Sequence, residues 1–182
     1  MTFCERLYKE TKEYHMIIDN HPFTKLIKTN KKAGDMYINF NKICIYQIQK
    51  YILLKDLVLQ KKLIMNFELP DIFITDNLSK LVIRCGKFTI EHAYMFYLGL
   101  FSGGSILKKY IGCDHHDFLT FENPKELSNK LKAYLNANVL NEKEFISEVK
   151  DSYKLIKLCF DDFYKTFNFQ TLIVGAQKLE LV

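Results

Sequence analysis

No stretch of the 182-residue chain reaches the roughly 20 consecutive apolar residues that a helix needs to cross a bilayer, and the Thr171 to Gly175 patch is far too short. The N-terminal segment holds Glu5, Lys9, Glu10, Lys12 and Glu13, so it lacks the apolar core of a secretory signal. Five cysteines (Cys4, Cys44, Cys85, Cys113, Cys159) are odd in number and widely spaced, with no Cys-x-x-Cys pair. That pattern speaks against a disulfide framework and against a structural zinc site, and it suits a reducing compartment. There is no internal repeat, low-complexity tract or Gly/Ser-rich linker, and no P-loop, Gly-x-Ser-x-Gly elbow or dinucleotide fingerprint. Charge is not concentrated either. The 26 basic and 21 acidic residues leave +5, but the lysines are scattered, which does not mark a nucleic-acid surface. The expectation is a soluble, intracellular, cytoplasmic protein with no membrane span and no nucleic-acid partner.

What is present is apolar residues at helical spacing. With 48% apolar composition the chain can bury one substantial core, and its length fits a single domain over residues 1–182. Thr2 with Glu5 has capping-box spacing, Asn141 with Glu144 repeats it in asparagine form, and Pro22 and Pro124 suit the first turn of a helix. These signals predict helices over Thr2 to Ile18, Pro22 to Lys28, Asp35 to Met65, Phe88 to Ile111, Pro124 to Ala137 and Glu142 to Phe167. Between Asn66 and Gly86 the pattern is mixed, with a short strand over Asp71 to Thr75 and a short helix over Asn77 to Arg84. Gly112 to Asn123 reads as the main loop. The predicted class is all-α, several helices around one core.

Two segments carry chemistry. On the first helix Phe3, Leu7, Thr11, His15 and Ile18 recur at helical spacing, which places His15 on the buried stripe. A histidine there is either hydrogen-bonded to a carbonyl in the core or serves as an axial ligand to a heme iron, and periodicity does not choose between them. The second segment, Tyr97-Leu98-Gly99-Leu100-Phe101-Ser102-Gly103-Gly104, is an apolar helix that meets paired glycines. Such glycines cost roughly 1 kcal/mol each in a helix and let a backbone come very close to a neighbour, either another helix or a flat ligand. Cys113, Asp114, His115, His116 and Asp117 are metal-ligand types, but consecutive side chains do not easily converge on one ion. Asp161-Asp162 reads as a solvated face.

Together these residues resemble a known family. Glu10-Thr11-Lys12-Glu13-Tyr14-His15, followed by Asp19-Asn20 and Pro22-Phe23, is similar to the N-terminal segment of biliverdin-producing heme oxygenases. His92-Ala93-Tyr94, then Tyr97-Leu98-Gly99, Ser102-Gly103-Gly104 and Ile106-Leu107-Lys108-Lys109, resembles their distal-helix signature, in the same order along the chain. The resemblance implies an all-helical fold with heme b between the first helix and the glycine-bearing helix. It implies His15 as proximal iron ligand and Asp19 behind its other nitrogen. Lys12 and Lys132 would lie near the propionates, and the distal surface would be built from Gly99, Leu100, Ser102, Gly103 and Gly104. The implied activity is oxidative opening of heme to biliverdin, iron and carbon monoxide, using O2 and electrons from an external reductase or ferredoxin-type donor.

Three departures bear on that activity. The family has an aspartate where this chain has Leu100, an arginine where it has Phe96, and a tyrosine at the position matching Gln49. In the family the aspartate steers oxygen chemistry through hydrogen bonds, which leucine cannot make. The alternative is therefore a non-catalytic heme-binding protein, a sensor, carrier or interaction partner, that keeps the proximal side alone. A third reading, a helical relative binding another small molecule as thiamin-salvage proteins do, lacks that group's cysteine and carboxylate pattern.

Overall fold

The computed structural model describes residues 1–52, 63–65, 67–68 and 74–179, with side chains through residue 167. Seven α-helices and no strand occur among the described residues. They are α1 (Phe3–Asp19), α2 (Pro22–Ile27), α3 (Lys31–Tyr51), α4 (Asp76–Lys87), α5 (Thr89–Leu107), α6 (Pro124–Asn138) and α7 (Glu142–Leu179). One 3-10 turn, Cys113–His115, interrupts the loop before α6.

Local chemistry sets most of the helix starts. The Thr2 side chain accepts from the Glu5 amide while the Glu5 carboxylate accepts from the Thr2 amide at 2.7 Å, which satisfies two orphan donors of α1. Asn141 does the same for α7, accepting from the Glu144 amide at 3.3 Å and donating to its carboxylate at 2.7 Å. His21 caps α2 through Nδ1, which accepts from the Phe23 amide at 3.1 Å. Helix α3 begins at Lys31 and not at Asp35, because the Asn30 side chain accepts from the Ala33 amide and starts the helix earlier. Helix α5 stops at Leu107, short of Ile111, and α7 continues past Phe167 to Leu179. The third helix, expected to run to Met65, ends at Tyr51, where Ile52 turns extended; its residues 53–62, and residues 71–73 of the expected strand, lie outside the described residues. Thr75 is not in a strand; its side chain caps α4 by accepting from the Leu78 amide at 3.1 Å.

Helix α7 is the spine. It runs parallel to α1, and three contacts keep a constant offset of 140 residues: Glu10 with Lys150 at 2.9 Å, Tyr14 under the Lys154 ammonium at 5.8 Å, and His21 with Asp161 at 3.0 Å. Asp161 and Asp162 are therefore not a solvated face. Asp161 joins His21 and Lys157, and Asp162 accepts from Asn77 at 2.9 Å, tying α7 to the α1–α2 turn and to α4. Beneath these contacts Phe23, Phe40, Phe160 and Phe163 are all buried, with ring centroids 5.1 to 6.4 Å apart in edge-on and tilted pairs.

A buried polar chain fixes α5 to the same spine. His92 is fully buried; its Nδ1 donates to the Phe88 carbonyl at 2.7 Å and its Nε2 meets the Ser152 hydroxyl at 2.9 Å. Ser152 also lies 2.9 Å from Glu148, whose carboxylate is paired with the Arg84 guanidinium. The single Ser152 proton thus has two acceptors. Burial holds His92 down at about 4, so the ring is neutral at ordinary pH.

Candidate functional site

One cleft dominates the described surface. It has a volume of about 1010 Å³, with α1 and α5 as facing walls and residues of α2, α3, α6 and α7 closing its ends and floor. From α1 come Tyr8, Thr11, Lys12, His15, Met16 and Asp19; from α5 come Tyr94, Met95, Leu98, Gly99, Ser102, Gly103, Ile106 and Leu107. Volume and mixed lining are those of a small-molecule site at the upper end of the usual range.

His15 is not in the core, where periodicity places it. The stripe Phe3, Leu7 and Thr11 is buried, but by His15 the helix has reached the cleft and the side chain is 51% exposed. A face that turns toward a cleft repeats at the same spacing as a face that turns toward a core, which is why periodicity misplaces it. The Nδ1 atom is held by the Asp19 carboxylate at 2.9 Å, and no described residue claims Nε2. That arrangement leaves one ring nitrogen for a ligand and fixes which one it is.

At Gly99 and Gly103 the opposite wall is bare backbone between larger side chains. A Cβ built on Gly99 or on Gly103 would meet nothing within 4 Å, so both positions are open where any other residue would intrude. Gly104 differs. It is buried, it does not line the cleft, and a Cβ there would lie 2.9 Å from the Leu119 carbonyl oxygen, so this glycine serves close packing of α5 against the loop before α6. Leu100 is also turned away, 2% exposed within the core. The Ser102 hydroxyl and the Tyr94 phenol are the polar side chains that α5 presents to the cleft. Burial pushes the Tyr94 phenol up to about 12, with the Thr11 hydroxyl beside it pulling the other way.

Charge around the cleft is positive. Lys12, Lys28 and Lys132 line it and no described carboxylate pairs with them, whereas Glu5 is engaged in the α1 cap and Asp19 with His15. Lys132 sits at the end where the Cys4 thiol donates to its carbonyl and Asn136 accepts from the Cys4 amide at 2.9 Å. The ligand this lining suits is flat, largely apolar and anionic at its edge. Sequence reasoning missed Tyr37 and Tyr153, which also line the cleft. The signal that could have found Tyr153 is a tyrosine interrupting the otherwise apolar stripe Val149, Ile156 and Phe160 of α7.

The loop cluster behaves differently from a metal site. His115 pairs with Asp35 at 3.1 Å, Cys113 is exposed, and no three His, Cys, Asp or Glu side chains converge among the described residues. No described helix is long and apolar enough to cross a membrane.

No family model matches the chain, and no curated protein matches it in sequence. Among solved structures, heme oxygenase-1 from the cyanobacterium Synechocystis sp. PCC6803, in complex with heme, superposes with a TM-score of 0.73 at 17% identity, covering 98% of this chain and 100% of that one. The chain has the heme oxygenase fold. Within that fold, none of Gln49, Phe96 and Leu100 lines the cleft. Phe96 is 5% exposed and packs on Phe40 and His92. Gln49 is bound at both ends of its amide, accepting from the Met65 amide at 2.9 Å and donating to the Met65 carbonyl at 3.1 Å. Tyr97 adds a third tie by donating to the Leu63 carbonyl. Gln49 and Tyr97 together anchor residues 63–65 to α3 and α5.

Proposed function

We propose that the cleft binds heme, with the Nε2 atom of His15 as the iron ligand. The observation that carries this reading is the pairing, across one cleft, of a half-exposed imidazole with a wall on which Gly99 and Gly103 leave open space that a larger side chain would fill. The similar cyanobacterial structure was solved with heme, which supports the same occupant. Asp19 keeps the proton on Nδ1 and so leaves the lone pair of Nε2 to donate to a metal. Lys12 and Lys132 would pair with the propionates, and Gly99, Ser102 and Gly103 would form the surface over the opposite porphyrin face. Met95, Leu98, Ile106 and Leu107 exclude water along that wall. Gly104 supports the wall from behind, through its close contact with Leu119. Bound heme would supply both a redox-active iron that activates O2 and the ring that is oxidised, with electrons from an external reductase or ferredoxin-type donor. In the oxygenase reading the whole of residues 1–182 acts as one domain that opens heme to biliverdin, iron and carbon monoxide. Ser102 and Tyr94 are then the side chains of α5 with a proton to offer on the cleft.

A second reading has its own observation. Leu100 and Phe96 are buried away from the cleft, and none of the residues α5 contributes to its lining is a carboxylate or guanidinium. Loss of one proton-relay group commonly lowers a rate by about 10² to 10⁴. On that reading the protein holds heme without degrading it. The two are separated by loading the protein with hemin and supplying ascorbate or a reductase under air. Decay of the heme absorption with appearance of biliverdin establishes the oxygenase; a persistent heme spectrum establishes the binding protein.

A further inference from the structure

The His15 ring has two neighbours of very different kind. Asp19 lies one turn along the same helix and its side chain is 60% exposed. An exposed pair of this sort contributes little and leaves the imidazole able to swing with its partner. Tyr153 belongs to α7, is 9% exposed, and meets the imidazole edge-on, with ring centroids 5.9 Å apart and planes at 80°. Its place is fixed by the parallel seam, where Glu10 with Lys150 lies a turn before it and Tyr14 with Lys154 directly beside it. A side chain locked in that way holds an orientation that a surface carboxylate cannot.

We propose that Tyr153 is a positioning residue that sets the tilt of the His15 imidazole through the contact of its ring. The inference rests on His15 being the iron ligand. The phenyl ring does this work and the hydroxyl does not, because the contact is ring against ring and no described residue hydrogen-bonds the hydroxyl. Truncating the ring lets the imidazole rotate on its Asp19 hydrogen bond, and the angle between its plane and any bound porphyrin becomes distributed rather than single.

The test uses hemin complexes of the wild type, Tyr153→Phe, Tyr153→Leu and Tyr153→Met, reduced and read by resonance Raman at the iron–histidine stretch. Two aliphatic variants are used so that failure of one to fold leaves the other. Wild type and Tyr153→Phe are expected to share one narrow band, and the aliphatic variants to show a shifted or broadened one at unchanged heme stoichiometry. A band identical in all variants overturns the positioning role. A Tyr153→Phe band as altered as those of the aliphatic variants also overturns it, because the effect then belongs to the hydroxyl. Absence of an iron–histidine band in the wild type overturns the His15 reading itself, and with it this inference.

Discussion

Substituting Leu100→Asp restores the residue that the heme oxygenase pattern carries at this position, but in this fold the change should harm stability more than it helps chemistry. Leu100 is 2% exposed and does not line the cleft. Removing the leucine forfeits roughly 1.5–3 kcal/mol of apolar burial. The carboxyl that replaces it has no partner, so burial raises its pKa; a rise from the ordinary 3.9 to about 7 costs about 4 kcal/mol at pH 7. The sum, about 5.5 to 7 kcal/mol, is comparable with the whole stability of a domain this size. The sign of the pH dependence is fixed. A folded-state pKa above the unfolded one means that the folded variant binds the extra proton, so the penalty shrinks toward acid. Between pH 7 and pH 5 the carboxylate part should fall by about 2 kcal/mol. Urea unfolding of wild type and variant at both pH values measures this, with biliverdin formation followed on the same samples. A variant that loses less than about 1 kcal/mol, equally at both pH values, while gaining turnover, would place residue 100 on the cleft and refute the reasoning. Because Phe96 lies one turn earlier and is also buried, adding Phe96→Arg should destabilise further, since it removes a packed ring and buries a second charged group.

The same geometry has other consequences. His92 titrates at about 4 when folded against about 6.5 when unfolded, so the stability it supports is complete above pH 6.5 and falls by about 3 kcal/mol toward pH 4; His92→Gln should flatten that part of a urea-midpoint-against-pH curve. Gly103→Leu should leave the melting temperature within a few degrees of wild type and abolish hemin binding, since the side chain enters open space in the cleft. Gly104→Ala should do the reverse, lowering stability by about 1–3 kcal/mol through the clash with Leu119 while hemin still binds to the folded fraction. Lys12→Ala and Lys132→Ala should each weaken hemin binding about fivefold or more in equilibrium titration, and unchanged affinity would return them to the role of surface charges.

The helices were legible because their starts are written in short-range chemistry: Thr2 with Glu5, Asn141 with Glu144, and prolines in first turns. Two of the missed boundaries share a related reason. Asn30 is an ordinary cap once the backbone turns there, but nothing downstream of it repeats until Asp35, and Leu107 ends α5 without a glycine or proline to announce it. The cleft was legible through paired motifs and not through periodicity. His15 and the buried Leu7 occupy the same stripe of α1, and only the packing of α5 and α7 decides that one faces a core and the other a cleft. Long-range pairs such as Tyr153 with His15, or Asp161 with His21, depend on the register of α7 along α1, which no local pattern encodes. The same holds for Leu100. Its identity departs visibly from the family pattern, but its burial, which decides whether restoring an aspartate helps or harms, emerges only from the packed helix.

The most direct test of heme binding through His15 is a hemin titration of the wild type and His15→Ala, monitored by absorption. His15 is 51% exposed and meets the core through a single edge-on contact with Tyr153, so the variant should remain folded. The wild type is expected to give a stoichiometric histidine-ligated Soret band that the variant lacks. An identical band in both proteins would contradict the assignment of His15 as the iron ligand.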